Sequence, residues 1–541
     1  MTAMGPILLA ASLAVPTAFF AACFFPRLRH AALALQWVAP IPALLAALAA
    51  LAGAPFDFEA PSLKLSLRLD LPAALLLAVS ALLWIVVGAG AFLDRAERPE
   101  PRVAVCWLLT MIGSLGVFVA DDLLSFYLVY ALVSIPAYGM FAFDPSPATL
   151  RAGRVYMAFA LLGEAFLLFA FGMLAAAEPH GSLRIPDVVA ALPGSPWRDM
   201  ALALLVAGFG AKMGLVPLNG WMPLSYAATP IPAAAVLSGA GVKAGVIGLI
   251  RFLPLGVPFA GWGEALAVIG FATAFYGVAI GLTQQNLKAI LAYSSVSQMG
   301  VIAAALGMAL AAGDPNASSL IAFYAANHVL VKGALFLTVG AFAVRSARPT
   351  TWTLLAVALA LSLAGLPFTG GALAKAASKS VFGNGLAVSL ASASSAASAL
   401  LMLHFVSRLR HAAAYEAAAT EVLLVRSWPL AAVGALLLPY LLFPFVGNLA
   451  DAITFFWKLW DDLWPVLLGG VLALGLARIA DGVPRIPTGD TIVLGEAAID
   501  RSLASGALFD RVDAAFRRWP AAGLALLAIT LALVYATVYA G

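Results

Sequence analysis

The feature that most constrains this chain is a succession of apolar runs separated by charged or Pro/Gly-rich breaks. A run of about 20 apolar residues is what an α-helix needs to cross a bilayer core. Sixteen can be counted, at about 6–25, 31–53, 71–93, 103–120, 123–143, 155–177, 200–222, 229–252, 259–283, 289–310, 319–344, 350–380, 384–407, 427–447, 463–480 and 520–540. The pattern predicts an all-α polytopic membrane protein. Composition closes the alternatives. Of 541 residues only 10% are charged and 63% are hydrophobic, where a soluble domain carries about 25% charge. Two cysteines, Cys23 and Cys106, lie far apart in apolar stretches and make no disulfide scaffold. The net charge of +4 is not clustered, so no nucleic-acid partner is expected. The first run, Pro6 to Phe25, has no Lys or Arg before it and reads as a span, not a removable signal.

Basic residues orient the spans. Of the thirty, nineteen fall in loops after odd-numbered spans, Arg27, Arg95, Arg151 and Lys288 among them, and six in loops after even-numbered ones. The odd loops should face the cytoplasm and both termini the outside. Within the connection 481–519, residues Thr491 to Arg518 interleave Leu494, Leu503, Leu508, Val512 and Phe516 with charges. This predicts an amphipathic helix along the cytoplasmic face. It packs on this chain or grips a neighbouring subunit.

The other five basic residues sit inside spans. Lys212, Lys243, Lys332 and Lys375 lie in apolar sequence, as do Glu164 and His328, while Lys379 lies nearer a span end, where a lysine snorkels or pairs. At about 1.5 Å per residue, Glu164, Lys212, Lys243 and Lys332 fall roughly 12–20 Å deep. An intramembrane lysine costs several kcal/mol unless paired, hydrated or neutral, and a row of such groups is usual material for a proton path. Burial favours the neutral amine and a nearby carboxylate the charged one, so moving the partner switches the charge.

Two of these lysines belong to interrupted spans. Span seven contains Gly214, Pro217, Gly220 and Pro223; span twelve contains Gly365, Pro367, Gly370 and Gly371. Broken helices at membrane depth occur where protein or a water cavity satisfies the freed backbone. Because spans seven and twelve are five apart, spans 4–8 and 9–13 read as two five-helix repeats, the second inverted, as in many secondary transporters. The chain then divides into helices 1–3 (1–100), a first repeat (101–255), a second repeat (256–410) and C-terminal helices 14–16 (411–541), with the amphipathic connection at about 485–518.

Three stretches carry a family resemblance. The first is Gly208-Phe-Gly-Ala-Lys-Met-Gly-Leu-Val-Pro217 with Trp221-Met-Pro223, Pro230 and Gly239-Ala-Gly-Val-Lys243. The second is Gln285-Asn-Leu-Lys-Ala-Ile-Leu-Ala-Tyr-Ser-Ser-Val-Ser-Gln-Met-Gly300. The third is Asn327-His328 with Lys332, then Leu363-Ala-Gly-Leu-Pro-Phe-Thr-Gly-Gly-Ala-Leu-Ala-Lys375. Over about 100–410 the chain resembles the antiporter-like subunits shared by respiratory complex I, Mrp cation/proton antiporters and membrane-bound hydrogenases. The resemblance implies a bacterial cytoplasmic (inner) membrane location, membrane subunits as partners, and protons, or sodium, as cargo. It implies that Lys212 is the central lysine of broken helix seven, whose charge is switched by an ion-pair partner. Lys243 relays inward, His328 and Lys332 are the relay groups of helix eleven, and Lys375 is the terminal lysine near the outer exit. Tyr293, Ser294, Ser295 and Ser297 match the polar stretch of helix ten, holding water or packing helices.

The departures matter equally. The family's helix-five glutamate, partner of the helix-seven lysine, aligns with Ala131, and span five holds no carboxylate except Asp121 and Asp122 at its outer edge. Glu164 in span six is the deep acid nearby, taking over as partner of Lys212 or contacting a neighbouring subunit. Tyr226 and Gln298 stand where many members have histidines. The expected function is a proton-translocating subunit of a larger complex, which leaves open a subunit of an oxidoreductase assembly. Alternatives are an Mrp-type Na⁺/H⁺ antiporter subunit, the energising subunit of a proton-driven inorganic-carbon accumulation complex, or an inactivated structural subunit. No Gly-rich dinucleotide loop, cysteine cluster or His pair at ligand spacing occurs, so no cofactor, metal or catalytic chemistry of its own is expected.

Overall fold

Lipid offers a backbone no hydrogen-bond partner, so a chain this apolar satisfies its own groups in helices. A computed structural model describes residues 4–53, 56–60, 65–92, 101–141, 146–344, 350–411, 419–447, 459–478, 485–489 and 492–493. The sixteenth run and nearly all of the expected amphipathic helix lie outside them. Every element below belongs to one unit ending at Thr488.

The helices are α1 (Met4–Ala22), α2 (Pro26–Leu35), α3 (Ile41–Ala52), α4 (Leu71–Phe92), α5 (Pro101–Gly116), α6 (Leu123–Ser134), α7 (Ala137–Phe141), α8 (Pro147–Ala177), α9 (Ile185–Ala191), α10 (Arg198–Met213), α11 (Trp221–Ala228) and α12 (Ile231–Val236). Then follow α13 (Lys243–Phe252), α14 (Ala260–Gly281), α15 (Leu287–Ala312), α16 (Ala317–Val344), α17 (Thr350–Ser362), α18 (Gly370–Lys379), α19 (Leu386–His411), α20 (Ala419–Leu442) and α21 (Leu459–Arg478). Among the described residues, twelve helical segments are long and apolar enough to cross a membrane, counting α2–α3, α6–α7 and α12–α13 as one each. The expected runs seven and twelve do not count because each is two short helices, and run four, α5, is only 16 residues long.

One feature of the described residues departs from an all-helical chain. Strands β1 (Phe56–Ala60) and β2 (Leu65–Leu69) form an antiparallel hairpin with Phe56 opposite Leu69 and Ala60 opposite Leu65. The alternation Leu65-Ser-Leu-Arg-Leu69 puts Leu67 and Leu69 into the core. A search for long apolar runs passes over such a short period-two segment.

The hairpin locks one end of the helical unit. Asp122 caps α6 by accepting from Ser125 N (2.8 Å) and accepts from Ser66 N of β2 (3.0 Å). Arg251, at the end of α13, donates to the carbonyls of Phe118 (2.7 Å), Arg68 (3.2 Å) and Ala120. Asp121 pairs with Arg184 at 3.1 Å. Burial pushes the Asp121 carboxyl above its ordinary value, and Arg251 and Arg184 oppose that push.

A close helix contact carries the polar stretch of α15. A Cβ built on Gly270 of α14 would lie 2.4 Å from Ala304 N, and one on Gly300 of α15 would lie 2.5 Å from Ala274 N. Gly263, Gly277 and Gly307 meet backbone at 2.4–2.7 Å in the same way. These glycines recur every seven residues on each helix, so two backbones meet along their length as small residues permit in membranes. Gly270→Leu should therefore destabilise the purified protein by about 1–3 kcal/mol, seen as a lower melting temperature. Gly172→Leu, at a helical position with nothing within 4 Å, should leave melting nearly unchanged; equal melting of the two variants would contradict this packing.

Candidate functional site at the helix breaks

Two short linkers place the site. Helix α10 ends with Gly214 in the left-handed region at φ +73°. Gly214 N donates to Ala211 O (3.2 Å) and Leu215 N to Gly210 O (2.9 Å). The linker after α17 repeats this: Gly365 has φ +91°, Gly365 N donates to Ser362 O (3.0 Å) and Leu366 N to Leu361 O (3.1 Å). Both are Schellman terminations, which need a residue free of the Cβ penalty at that glycine. Each break is then spanned. Trp221 Nε1 donates to Ala211 O across the first (2.8 Å), and Ser362 Oγ accepts from Gly371 N across the second (3.2 Å). Pro217 and Pro367 fall within the linkers, and Pro223 sits in the first turn of α11.

The first break holds Lys212, which is buried. Its Nζ donates to Ser134 Oγ (3.0 Å) and Tyr156 OH (3.4 Å), and faces the rings of Tyr156 and Tyr130 at 5.7 and 6.0 Å. Tyr156 OH donates to Ser134 O (2.8 Å). Ser134 lies three residues beyond Ala131 on α6, so a hydroxyl contacts the lysine close to where a carboxylate is missing. Glu164 is buried on α8 and interacts electrostatically with Lys212 and with the Ser134 hydroxyl. It makes no direct ion pair with the lysine, and its Oε1 has no hydrogen-bond partner. The helices carrying the two charges meet closely: a Cβ on Gly208 would lie 2.7 Å from Leu167 Cδ2 and 3.0 Å from Gly163 O. Two cavities of about 10 Å³ flank Lys212, one between Ser134, Gly163 and Gly208, the other reaching Tyr226, Gly241 and Val242. Each is about the size that holds one water.

The second cavity ends beside α13. There a π-helical turn, Leu237–Gly241, precedes Lys243, an irregularity common at functional sites. Lys243 Nζ meets His328 Nδ1 of α16 at 2.8 Å, and both side chains are buried. Two protonated nitrogens cannot share this bond, so it holds one proton between them. His328 Nε2 is buried without a partner. Lys332, buried one turn along α16, donates to Leu291 O of α15 (2.8 Å). On α15, Ser295 Oγ lies 3.1 Å from Ser238 Oγ of the π turn, Ser294 Oγ lies 3.9 Å from Met402 Sδ, Ser297 Oγ is buried without a partner, and Tyr293 is fully buried.

Toward the second break, Tyr324, His328 and Lys332 recur every four residues on one face of α16. Tyr324 OH donates to Gln298 Oε1 (2.7 Å) and Gln298 Nε2 to Ser398 Oγ (3.0 Å). Tyr324 also lines a cavity of about 60 Å³ with Lys375, room for roughly four waters. Lys375 Nζ donates to Ser395 Oγ (2.8 Å) and Ala364 O (3.0 Å). Lys379 is exposed and pairs with Asp461 at 3.4 Å.

Of the six expected charged groups, the structure places Lys212 and Lys375 at the two breaks, Glu164 on α8, Lys243 on α13, and His328 and Lys332 on α16. Sequence reading missed Ser134, Tyr156 and Tyr324. The period-four spacing Tyr324, His328, Lys332 and the eight-residue separation of Tyr156 from Glu164 were available signals; the contact of Lys212 with a serine was not.

Residues 120–403, just over half of the chain, match the family model described as NADH:quinone oxidoreductase/Mrp antiporter, transmembrane. The chain belongs to this family. The NADH-quinone oxidoreductase subunit N of Desulforudis audaxviator is 33% identical over 310 residues, covering 54% of this chain and 60% of the relative. Hydrogenase-4 component B of Escherichia coli is 30% identical over 303 residues, covering 53% and 44%. This family member therefore spans about half the length of these curated relatives. A chain in the Mrp complex of Dietzia sp. DQ12-45-1b shares the fold with a TM-score of 0.72 at 20% identity, over 99% of this chain and 63% of that one.

The interaction of Glu164 with Lys212 is measurable by itself. A double-mutant cycle of Glu164→Gln and Lys212→Gln, read from melting of the purified protein, should give a coupling of about 0.5–3 kcal/mol. Additive effects of the two changes would contradict the interaction.

Proposed function

We propose that this chain is a proton-translocating, antiporter-like membrane subunit of a larger complex. It moves protons along a line through Glu164, Lys212, Lys243, His328, Lys332 and Lys375. The observation that carries this reading is the Lys243–His328 contact, a bond between two buried titratable groups on different helices. Continuity supports it. The cavity beside Lys212 reaches Val242, next to Lys243, and Tyr324, one turn from His328, lines the cavity of Lys375. Buried polar atoms without partners, Asn219 Oδ1 and Nδ2, Ser225 Oγ, Ser297 Oγ and Asn327 Oδ1, lie on the same helices and linkers. Such atoms are usually satisfied by internal water, the medium a relay needs.

In this reading the Ser134 and Tyr156 hydroxyls hold the Lys212 ammonium while Glu164 sets how strongly it keeps its proton. A proton leaving Lys212 passes through the small cavity to Lys243, crosses to His328, and follows Tyr324 toward Lys375. The recurrence of one termination at both breaks supports two repeats; the proposal takes the second as inverted, with sixteen spans and divisions at about 100, 255 and 410. With odd loops inside, Lys375 and Lys379 lie toward the outer face of a bacterial inner membrane. The partners are other membrane subunits, as in the complexes named for the relatives.

The test is proton uptake in sealed inverted vesicles carrying the complete parent complex, followed with a pH-quenched dye. Lys212→Ala and Glu164→Gln should each slow uptake about a hundredfold, the scale of losing a positioned proton-transfer group. Near-normal uptake in Glu164→Gln would remove it from the relay, and near-normal uptake in Lys212→Ala would overturn the proposed function.

A further inference from the structure

Helix α21 lies beyond residues 120–403 and beyond the relay described above, yet it closes the cavity that holds Lys375. Its seat is close: a Cβ on Gly469 would lie 2.5 Å from Ala399 Cβ and 2.6 Å from Ala396 O of α19. Seated there, its first turn brings Asp461, Asp462 and Pro465 to the cavity wall opposite Lys375 and Ser395. The two acids differ. Asp461 is exposed and engaged with Lys379 at 3.4 Å, both side chains about half exposed (50% and 51%). Asp462 is half-buried and interacts electrostatically with Lys375, with Lys379 and Asp461 beside it and Tyr440 of α20 within the same electrostatic range.

We propose that Asp462 is the proton-exchange residue at the mouth of the Lys375 cavity, supplied by a helix outside the family-matched segment. This rests on the proton-translocating reading above. The Lys375 ammonium gives one proton, through cavity water, to the Asp462 carboxylate, leaving a neutral amine and a carboxylic acid. The acid releases that proton to outer water and returns to a carboxylate, and the amine takes the next proton from the relay on the Tyr324 side, so each cycle restores both groups. The Ser395 hydroxyl and the Ala364 carbonyl hold the lysine nitrogen in place throughout. The Lys379–Asp461 pair lies half-exposed at the rim, and Asp462 is the carboxylate on the cavity wall opposite Lys375.

Two readouts on the complete complex test this. In proton uptake, Asp462→Asn should slow transport about tenfold to a hundredfold, Asp462→Glu should restore at least half of it, and Asp461→Asn should stay within about twofold, since exposed pairs contribute little. The second readout needs no transport. Ser392 lines the cavity, and its hydroxyl bonds Val388 O of its own helix. A Ser392→Cys variant, with Cys23 and Cys106 replaced by serine, is labelled from outside with a cationic, membrane-impermeant thiosulfonate. Adding Asp462→Asn should slow labelling about tenfold by removing the local negative field, while Asp461→Asn should slow it less. Unchanged uptake and labelling in Asp462→Asn, or an Asp462→Glu variant as inactive as Asp462→Asn, would overturn the proposal. Should Lys212→Ala transport normally, the relay reading fails by itself, and labelling that is slowed by Asp462→Asn would still place a carboxylate at an open mouth.

Discussion

The contact on which the rest of this structure depends is the hydrogen bond between Lys243 and His328. It joins α13 to α16, and it lies wholly inside the protein. A lysine at such depth is tolerated only with a partner, water or loss of its charge. Here a second titratable nitrogen serves as the partner, so one of the two nitrogens donates and the other accepts. The other charged groups are arranged outward from it. Lys332 is fixed to a carbonyl of α15, Lys212 to two hydroxyls, and Lys375 to a serine and a freed carbonyl.

The broken helices serve this arrangement through their backbones. Each break ends a helix in the same Schellman pattern and is bridged by one side chain, Trp221 or Ser362, which satisfies part of the interrupted ladder. At the second break a carbonyl released in this way, Ala364 O, is a ligand of Lys375. Glycines perform a complementary task. They bring α14 against α15 and α8 against α10, and so place the polar stretch and the Glu164–Lys212 pair at fixed separations.

Much of this was legible in the sequence because the membrane leaves few options. Runs of apolar residues announced the helices, and lysines inside them announced the site. Gly214 and Gly365 marked the breaks, since only a break explains Gly and Pro clustered in a long span. What could not be read depends on packing between distant helices. Ala131 marked a missing carboxylate, but that Ser134 and Tyr156 hold Lys212 follows from how α6 and α8 cross α10. Asp462 lies just before the run at 463–480, and its place across the cavity from Lys375 follows from Gly469 seating α21 on α19. The hairpin at Phe56–Leu69 was missed because its period of two is too short to register among runs of twenty.

The central claim is that the buried groups form one connected path with the Lys243–His328 bond at its middle. The most direct measurement is proton uptake by the complete complex carrying His328→Leu, which removes the titratable nitrogens while keeping an apolar side chain in the core. The account predicts that uptake falls about a hundredfold while assembly is retained. Assembly with uptake equal to the parent would contradict it.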